Sequence, residues 1–187
     1  MDDDQQAIGE VLAGTAEAFR GLVERHQRVV WTFAWNMLRN DADAEDLTQD
    51  VFVAAFRSLH TFDAARARFS TWLLTIARNR CCTMLKMRRP SAAGEESPDG
   101  LPTAEMAMTD CELWQQLDTA LGHLPAEQRS AFVLAEIQEL PYSEIAAIEG
   151  VQIGTVKSRV SRAKARLREI FPIHACTDRL TGGKDPS

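Results

Sequence analysis

Apolar residues recur along this chain at helical spacing, with no convincing period-two stretch bounded by hairpin turns. Phe19, Leu22, Val23, Val30, Phe33, Ala34 and Met37 fall three, four or seven positions apart or side by side, and predict a helix over 15–39. "NDADAED" (40–46) follows, with Asn and Asp to cap a helix and acids to suit its dipole. Leu47, Val51, Ala55 and Leu59 then repeat every four residues and predict a helix over 42–58. A third helix is predicted from Ser70, as its cap, to Arg89, where Pro90 ends it. "PSAAGEESPDGLP" (90–102) holds three prolines and two glycines and cannot build a core, so it is a linker. Leu113, Leu117 and Leu121 mark a further helix, broken at Leu124-Pro125. Pro125 suits the first turn of a helix over 126–139. Two short helices, 142–149 and 153–171, are separated by "EGVQ". The prediction is an all-α protein of two small helical domains joined by a flexible linker.

Composition adds limits. With 187 residues, 45% hydrophobic and 26% charged, the chain can fold as one mid-sized or two small globular domains. "MDDDQQAIGE" lacks the basic start and apolar run of a signal peptide. Runs such as "VFVAAF" (51–56) are too short to span a bilayer, so a cytoplasmic location is expected. Cys81, Cys82, Cys111 and Cys176 form no CxxC pair and are expected as free thiols. His174 and Cys176 alone make a weak metal pair. The net charge is -6 and the pI about 5.3. That average hides a division. Residues 1–60 carry eleven acids and five bases, while 63–89 carry seven bases and one acid, Asp63. Local potential steers a polyanion, so the acidic total does not exclude nucleic acid.

The C-terminal segment has the arrangement of a helix-turn-helix: a short helix, a turn with Gly150, and a second helix carrying six bases between Lys157 and Arg168. Ile153, Val156, Val160, Ala163, Leu167 and Ile170 form one narrow apolar stripe. Ser158, Ser161, Arg162 and Ala165 point away from it. Lys157 lies on one flank; Thr155, Arg159 and Arg166 lie on the other. Small hydroxyl residues let the helix approach a groove floor, Arg162 can reach guanine edges, and the flanking bases can meet phosphates.

Residues 41–56 need a different reading. A calcium loop starting at Asp41 fails, because its sixth and twelfth positions are Asp46 and Phe52 rather than Gly and Glu. Asp46 and Asp50 share a helix face, but no further ligand pattern makes them a metal site. The outer face of Asp46, Gln49, Asp50 and Val53 is therefore read as a surface for a partner. "HTFDAARARFSTWLLTIARNR" (60–80) interleaves Phe62, Phe69 and Trp72 with Arg66, Arg68, Arg78 and Arg80. Bases with aromatics suit single-stranded nucleic acid. Trp72 and Ile76 fit a core stripe better; Phe62, in a polar basic loop, has no obvious packing role.

In order, "DAEDLTQDVFVAAFRSL", "FDAARARFSTWLLTIARNR", a linker and "LPAEQRSAFVLAEIQELPYSEIAAIEGVQIGTVKSRVSRAKARLRE" resemble the extracytoplasmic-function branch of bacterial sigma factors. The resemblance spans about 15–171. It implies a subunit that binds core RNA polymerase at the β′ clamp helices and the β flap and recognises promoter DNA. It implies no chemistry of its own, no cofactor and no small-molecule substrate. It divides the chain into a tail (1–14), region 2 (15–89), a linker (90–108), region 4 (109–172) and a tail (173–187). Asp46, Gln49, Asp50 and Val53 match the polymerase-binding surface; many members have Glu where this chain has Asp50. Phe62, Arg66, Arg68, Arg78, Asn79 and Arg80 match the segment that opens and captures the −10 element. Thr155, Lys157, Ser158, Arg159, Ser161 and Arg162 match the −35 recognition helix. A cognate anti-sigma factor, often membrane-bound, is the implied regulator. Two other readings stand beside this one. A stand-alone helix-turn-helix regulator leaves the acidic helix and the basic-aromatic segment unexplained. A metal-dependent hydrolase lacks its ligands.

Overall fold

A computed structural model of the chain describes residues 3–88 and 119–170. Every regular element among them is helical. The predicted linker, the helix marked by Leu113 and Leu117, and the tail with His174 and Cys176 lie outside the described residues.

The first difference from expectation is at the N-terminus. Residues 1–14 read as an acidic tail, but Asp3–Leu12 form helix α1. Two anchors hold it. Ile8 is buried, and the Asp4 carboxylate meets Arg25 Nε at 2.9 Å and His26 Nε2 at 2.7 Å. Gly14, at φ 109°, then reverses the chain in a conformation other residues avoid. A single 3₁₀ turn, Ala16–Ala18, leads into α2, Phe19–Leu38. Helix α2 buries Leu22, Val30, Phe33, Ala34 and Met37 and stops at Arg39, which adopts the left-handed conformation at φ 62°.

Helix α3, Asp41–Ser58, is capped as the sequence predicted. The Asn40 side chain accepts from the Asp43 N–H at 2.9 Å, and Asp41 and Asp43 sit in the positive first turn. Asn40→Ala should lower stability by about 1 kcal/mol in urea unfolding; an unchanged midpoint would show that solvent caps this end equally well. Ala44, Leu47, Val51, Phe52 and Ala55 face inward. A 3₁₀ turn, Leu59–Thr61, and a short loop lead to α4, Phe69–Arg88, which buries Phe69, Leu73, Leu74, Ala77 and Cys81 against α2 and α3. Burial drives the Cys81 thiol pKa far above its usual range, so this cysteine is an inert core residue.

On the C-terminal side, α5 spans Ala126–Phe132 with Pro125 at the N-cap. The predicted helix over 126–139 is not continuous α-helix. It widens into a π turn, Val133–Ile137, and Glu139 then takes φ 53°. Helix α6, Tyr142–Glu149, ends on Gly150 at φ 65°. Helix α7 is Ile153–Ile170. Its buried stripe is Val156, Val160, Ala163 and Leu167, while Ile153, at the free end, is 46% exposed.

The two sets of helices are packed together. Ala131, Val133, Leu134, Ile145, Ile148, Val156 and Val160 belong to the same apolar cluster as Phe33, Leu73 and Ala77. Among the described residues, three side-chain hydrogen bonds cross between them. Thr71 Oγ1 donates to Glu144 at 2.7 Å, Gln138 Nε2 to the Val29 carbonyl at 3.2 Å, and Arg129 Nη1 to the Met37 carbonyl at 2.7 Å. A smaller cluster joins Ala120, Leu121 and Leu124 to Ala163 and Leu167.

Candidate nucleic-acid and protein interfaces

The outer face of α3 is the first surface. Asp46, Gln49, Asp50 and Val53 are all exposed. Their spacing of three and four keeps them on one stripe. That stripe continues to Phe56, which sequence reasoning did not single out. Val53 is 48% and Phe56 44% exposed, so two apolar side chains border the acids. Phe56 is steadied by an edge-on contact with Phe19, with ring centres 5.1 Å apart. The signal was present in the pattern: position 56 is the next step of 46, 49 and 53. Asp50 also accepts from Arg80 Nη1 at 3.1 Å. Both partners are well exposed, so solvent screens this pair and it adds little stability.

The basic-aromatic segment is more dispersed than its sequence implied. Phe62 has a packing role: its ring lies 5.5 Å from Phe69 and 5.6 Å from Trp72, and it is half-buried. His26 from α2 closes the group edge-on to Phe69. Arg66 and Arg68 project from the loop and are exposed. Arg78, Asn79 and Arg80 are consecutive on α4, so they diverge by about 100° per step. Arg78 is half-buried, and its Nη1 donates to Asn79 Oδ1 at 3.3 Å. Asn79 is exposed, and Arg80 reaches toward Asp50. The fold thus brings the aromatic rings together but does not gather the six candidates onto a single patch.

The third surface is α7. Lys157, Ser161 and Arg162 are exposed, as are Ala165 and Arg166. Thr155 and Ser158 are half-buried, and the Ser158 hydroxyl donates to the Thr155 carbonyl at 2.9 Å. Arg159 takes a different place from the exposed flank the wheel assigned it. Only 16% of its side chain is exposed, and its Nη1 meets Glu149 Oε2 at 2.5 Å. Gly150 makes this compact turn possible, since a Cβ at its positive φ would be strained. Among the described residues, no group of three or more His, Cys, Asp or Glu could hold a metal ion, and no helix is long and apolar enough to cross a membrane.

An all-helical fold that carries an acidic-apolar helix face, a basic-aromatic segment and a basic helix-turn-helix has the parts of a transcription-initiation factor. Two family models match the chain in that order: Sigma-70 region 2 over residues 22–90 and Sigma-70, region 4, over 114–167. The chain is 31% identical over 179 residues to the ECF RNA polymerase sigma factor SigW of Bacillus subtilis, covering 88% of this chain and 95% of SigW. It is 36% identical over 173 residues to the ECF sigma factor RpoE of Cereibacter sphaeroides, covering 89% and 87%. Against SigE of Mycolicibacterium smegmatis the identity is 37% over 160 residues; that match spans 82% of this chain and 62% of SigE. The chain therefore belongs to the ECF sigma factors of the sigma-70 family. Among solved structures, it resembles CnrH in complex with the cytosolic domain of CnrY, with TM-score 0.71, 26% identity and coverage of 93% and 100%. It also resembles Bartonella quintana RpoE in complex with the anti-sigma factor NepR, with TM-score 0.66, 28% identity and coverage of 84% and 98%.

Proposed function

We propose that this chain is a promoter-specificity subunit that works in the cytoplasm and has no chemistry of its own. The observation that carries this reading is the exposure, on one chain, of an acidic-apolar face on α3 and a cationic face on α7. Charge of opposite sign on separate elements fits one protein partner and one polyanion. Asp46, Gln49, Asp50 and Val53 engage core RNA polymerase at the β′ clamp helices, and the region-4 unit meets the β flap. Phe62, Arg66, Arg68, Arg78, Asn79 and Arg80 serve the −10 element. Lys157, Ser158, Ser161 and Arg162, with Thr155, face the −35 major groove. The functional division runs 15–89 and 109–172 around a linker at 90–108. The Bartonella RpoE structure is a complex with an anti-sigma factor, and CnrH is a complex with the cytosolic domain of CnrY, which supports a cognate anti-sigma factor for this chain.

Run-off transcription with purified core polymerase and a panel of promoters tests the reading. Promoter-selective transcripts are expected. Absence of transcripts together with no core binding in a pull-down would sink it. Arg162→Ala should weaken −35 recognition by about 1–3 kcal/mol while core binding stays intact. An equal loss of core affinity would contradict the assignment of Arg162 to DNA.

A further inference from the structure

Glu149 is a buried acid among the described residues of the C-terminal unit. It ends α6, where the helix dipole is negative and an acid is unfavourable. Its side chain is 0% exposed, and its Oε1 has no hydrogen-bond partner. Among the described residues, Arg159 alone meets its other oxygen, at 2.5 Å. Arg159 also reaches the Glu127 carboxylate in the first turn of α5, at 3.5 Å. One guanidinium on the recognition helix thus ties α7 to the end of α6 and the start of α5. If Arg159 swung out to a DNA phosphate, it would leave a buried carboxylate unpaired, which costs far more than one exposed phosphate contact returns.

We infer that Arg159 is a positioning residue for −35 recognition. Locked to the buried Glu149, with the exposed Glu127 within 3.5 Å, it sets the angle at which α7 presents Lys157, Ser161 and Arg162 to the groove, and it makes no DNA contact itself. The planar guanidinium suits this role because it meets two carboxylates from fixed directions, which an ammonium does not. This inference rests on the function proposed above.

The test uses full-length protein in holoenzyme with core polymerase. The probe is a promoter DNA that the unaltered chain transcribes, with and without a scrambled −35 element. Two quantities are read: the ratio of affinities for the two DNAs, and the slope of log affinity against log salt. Arg159→Gln should lower the −35 ratio about tenfold, the scale of one misplaced base contact, and leave the salt slope unchanged. Adding Glu149→Gln should leave the ratio as low, since the tie between α7 and α6 is still absent, while it removes the unpaired buried charge. Glu149→Gln alone, which releases Arg159 but keeps its charge, should lower the ratio. Circular dichroism at the assay temperature fixes the folded fraction, and the double variant, with no buried charge, carries the test where Arg159→Gln fails to fold.

The inference is overturned if the slope falls by about 0.9 in both the Arg159→Gln and the double variant, the signature of one lost phosphate contact. It is equally overturned if Glu149→Gln alone leaves the −35 ratio unchanged. If the unaltered holoenzyme itself shows no −35 preference, the broader sigma-factor reading fails first, and the two failures are distinct.

Discussion

Arg129→Met should remove about 3 kcal/mol of unfolding free energy and split one urea transition into two. Arg129 is 8% exposed, and its guanidinium donates to three carbonyl oxygens. Met37 accepts at 2.7 Å from the last turn of α2; Gly122 and Leu124 accept at 2.7 and 3.1 Å from the segment before α5. Helix ends carry orphan carbonyls and partial negative charge, so a buried cation placed there satisfies both. Methionine has nearly the right length and no donor. It therefore strips three acceptors of a partner without opening a large cavity. The loss is partly offset. Burial and the nearby Arg129 charge hold the Arg39 pKa down to about 10, and removing Arg129 relieves that repulsion. The net effect stays destabilising because three acceptors lose a charged donor while a single half-buried cation is relieved. Since Met37 belongs to the α1–α4 set, the variant should also loosen the C-terminal helices from it. Separate transitions, read by amide hydrogen exchange in α2 and in α7, would show this. Coincident transitions at an unchanged midpoint would mean that the shared apolar cluster alone joins the two sets.

How far the sequence reached depends on which physical signal each feature carries. Asn40 before a run of acids is a local signal, and the cap it predicted is there. Gly150 between two short apolar stripes is another, and α6 and α7 meet at it. Along α7 the wheel predicted the inward direction of Val156, Val160, Ala163 and Leu167. It could not say that Ile153, at the start of the same stripe, is left 46% exposed. Long side chains on a helix flank are worse, because Arg159 can turn outward to solvent or inward to an acid. The readable clue lay elsewhere. Glu149 shares the inner face of α6 with Ile145 and Ile148, and an acid on an apolar face demands a base. Other features had no local trace. Arg129 is one of 21 cationic residues, and only the tertiary arrangement makes it special. The N-terminal residues looked like solvated tail because, among those described, Ile8 is the one buried apolar side chain, helped by the partly buried Ala7 and Val11, with Asp4 completing the attachment through residues more than twenty positions away. The contact between the two sets of helices was illegible for the same reason. Thr71 and Glu144 are ordinary surface residue types until α6 is laid across α4.

Reversing both acids on α3, Asp46→Lys with Asp50→Lys, should weaken core-polymerase binding about 100-fold, since like charges set against a basic partner cost several kcal/mol. The size follows from position. Both side chains are exposed in the free protein, so neither supports the fold, and their full effect falls on the bound state. One internal contact is lost: Asp50 pairs with Arg80 at 3.1 Å, and the Asp50→Lys change sets two cations against each other there. That pair is solvent-screened, so the internal penalty is about a few tenths of a kcal/mol, well below the binding effect. The melting temperature should therefore barely move. Rim charges act largely on association, so the difference from the unaltered chain should shrink as salt rises. Val53 and Phe56 supply the apolar remainder of the same stripe, and Val53→Asn, which adds no charge, should weaken binding without this salt dependence. Fluorescence anisotropy of the labelled full-length chain against core polymerase, at low and high salt, measures all three. Arg162→Ala, on the opposite functional surface, should match the unaltered chain in this assay. If the double reversal leaves core affinity where it was, the α3 face is only a solvated surface, and the polymerase must be held by some other part of the chain.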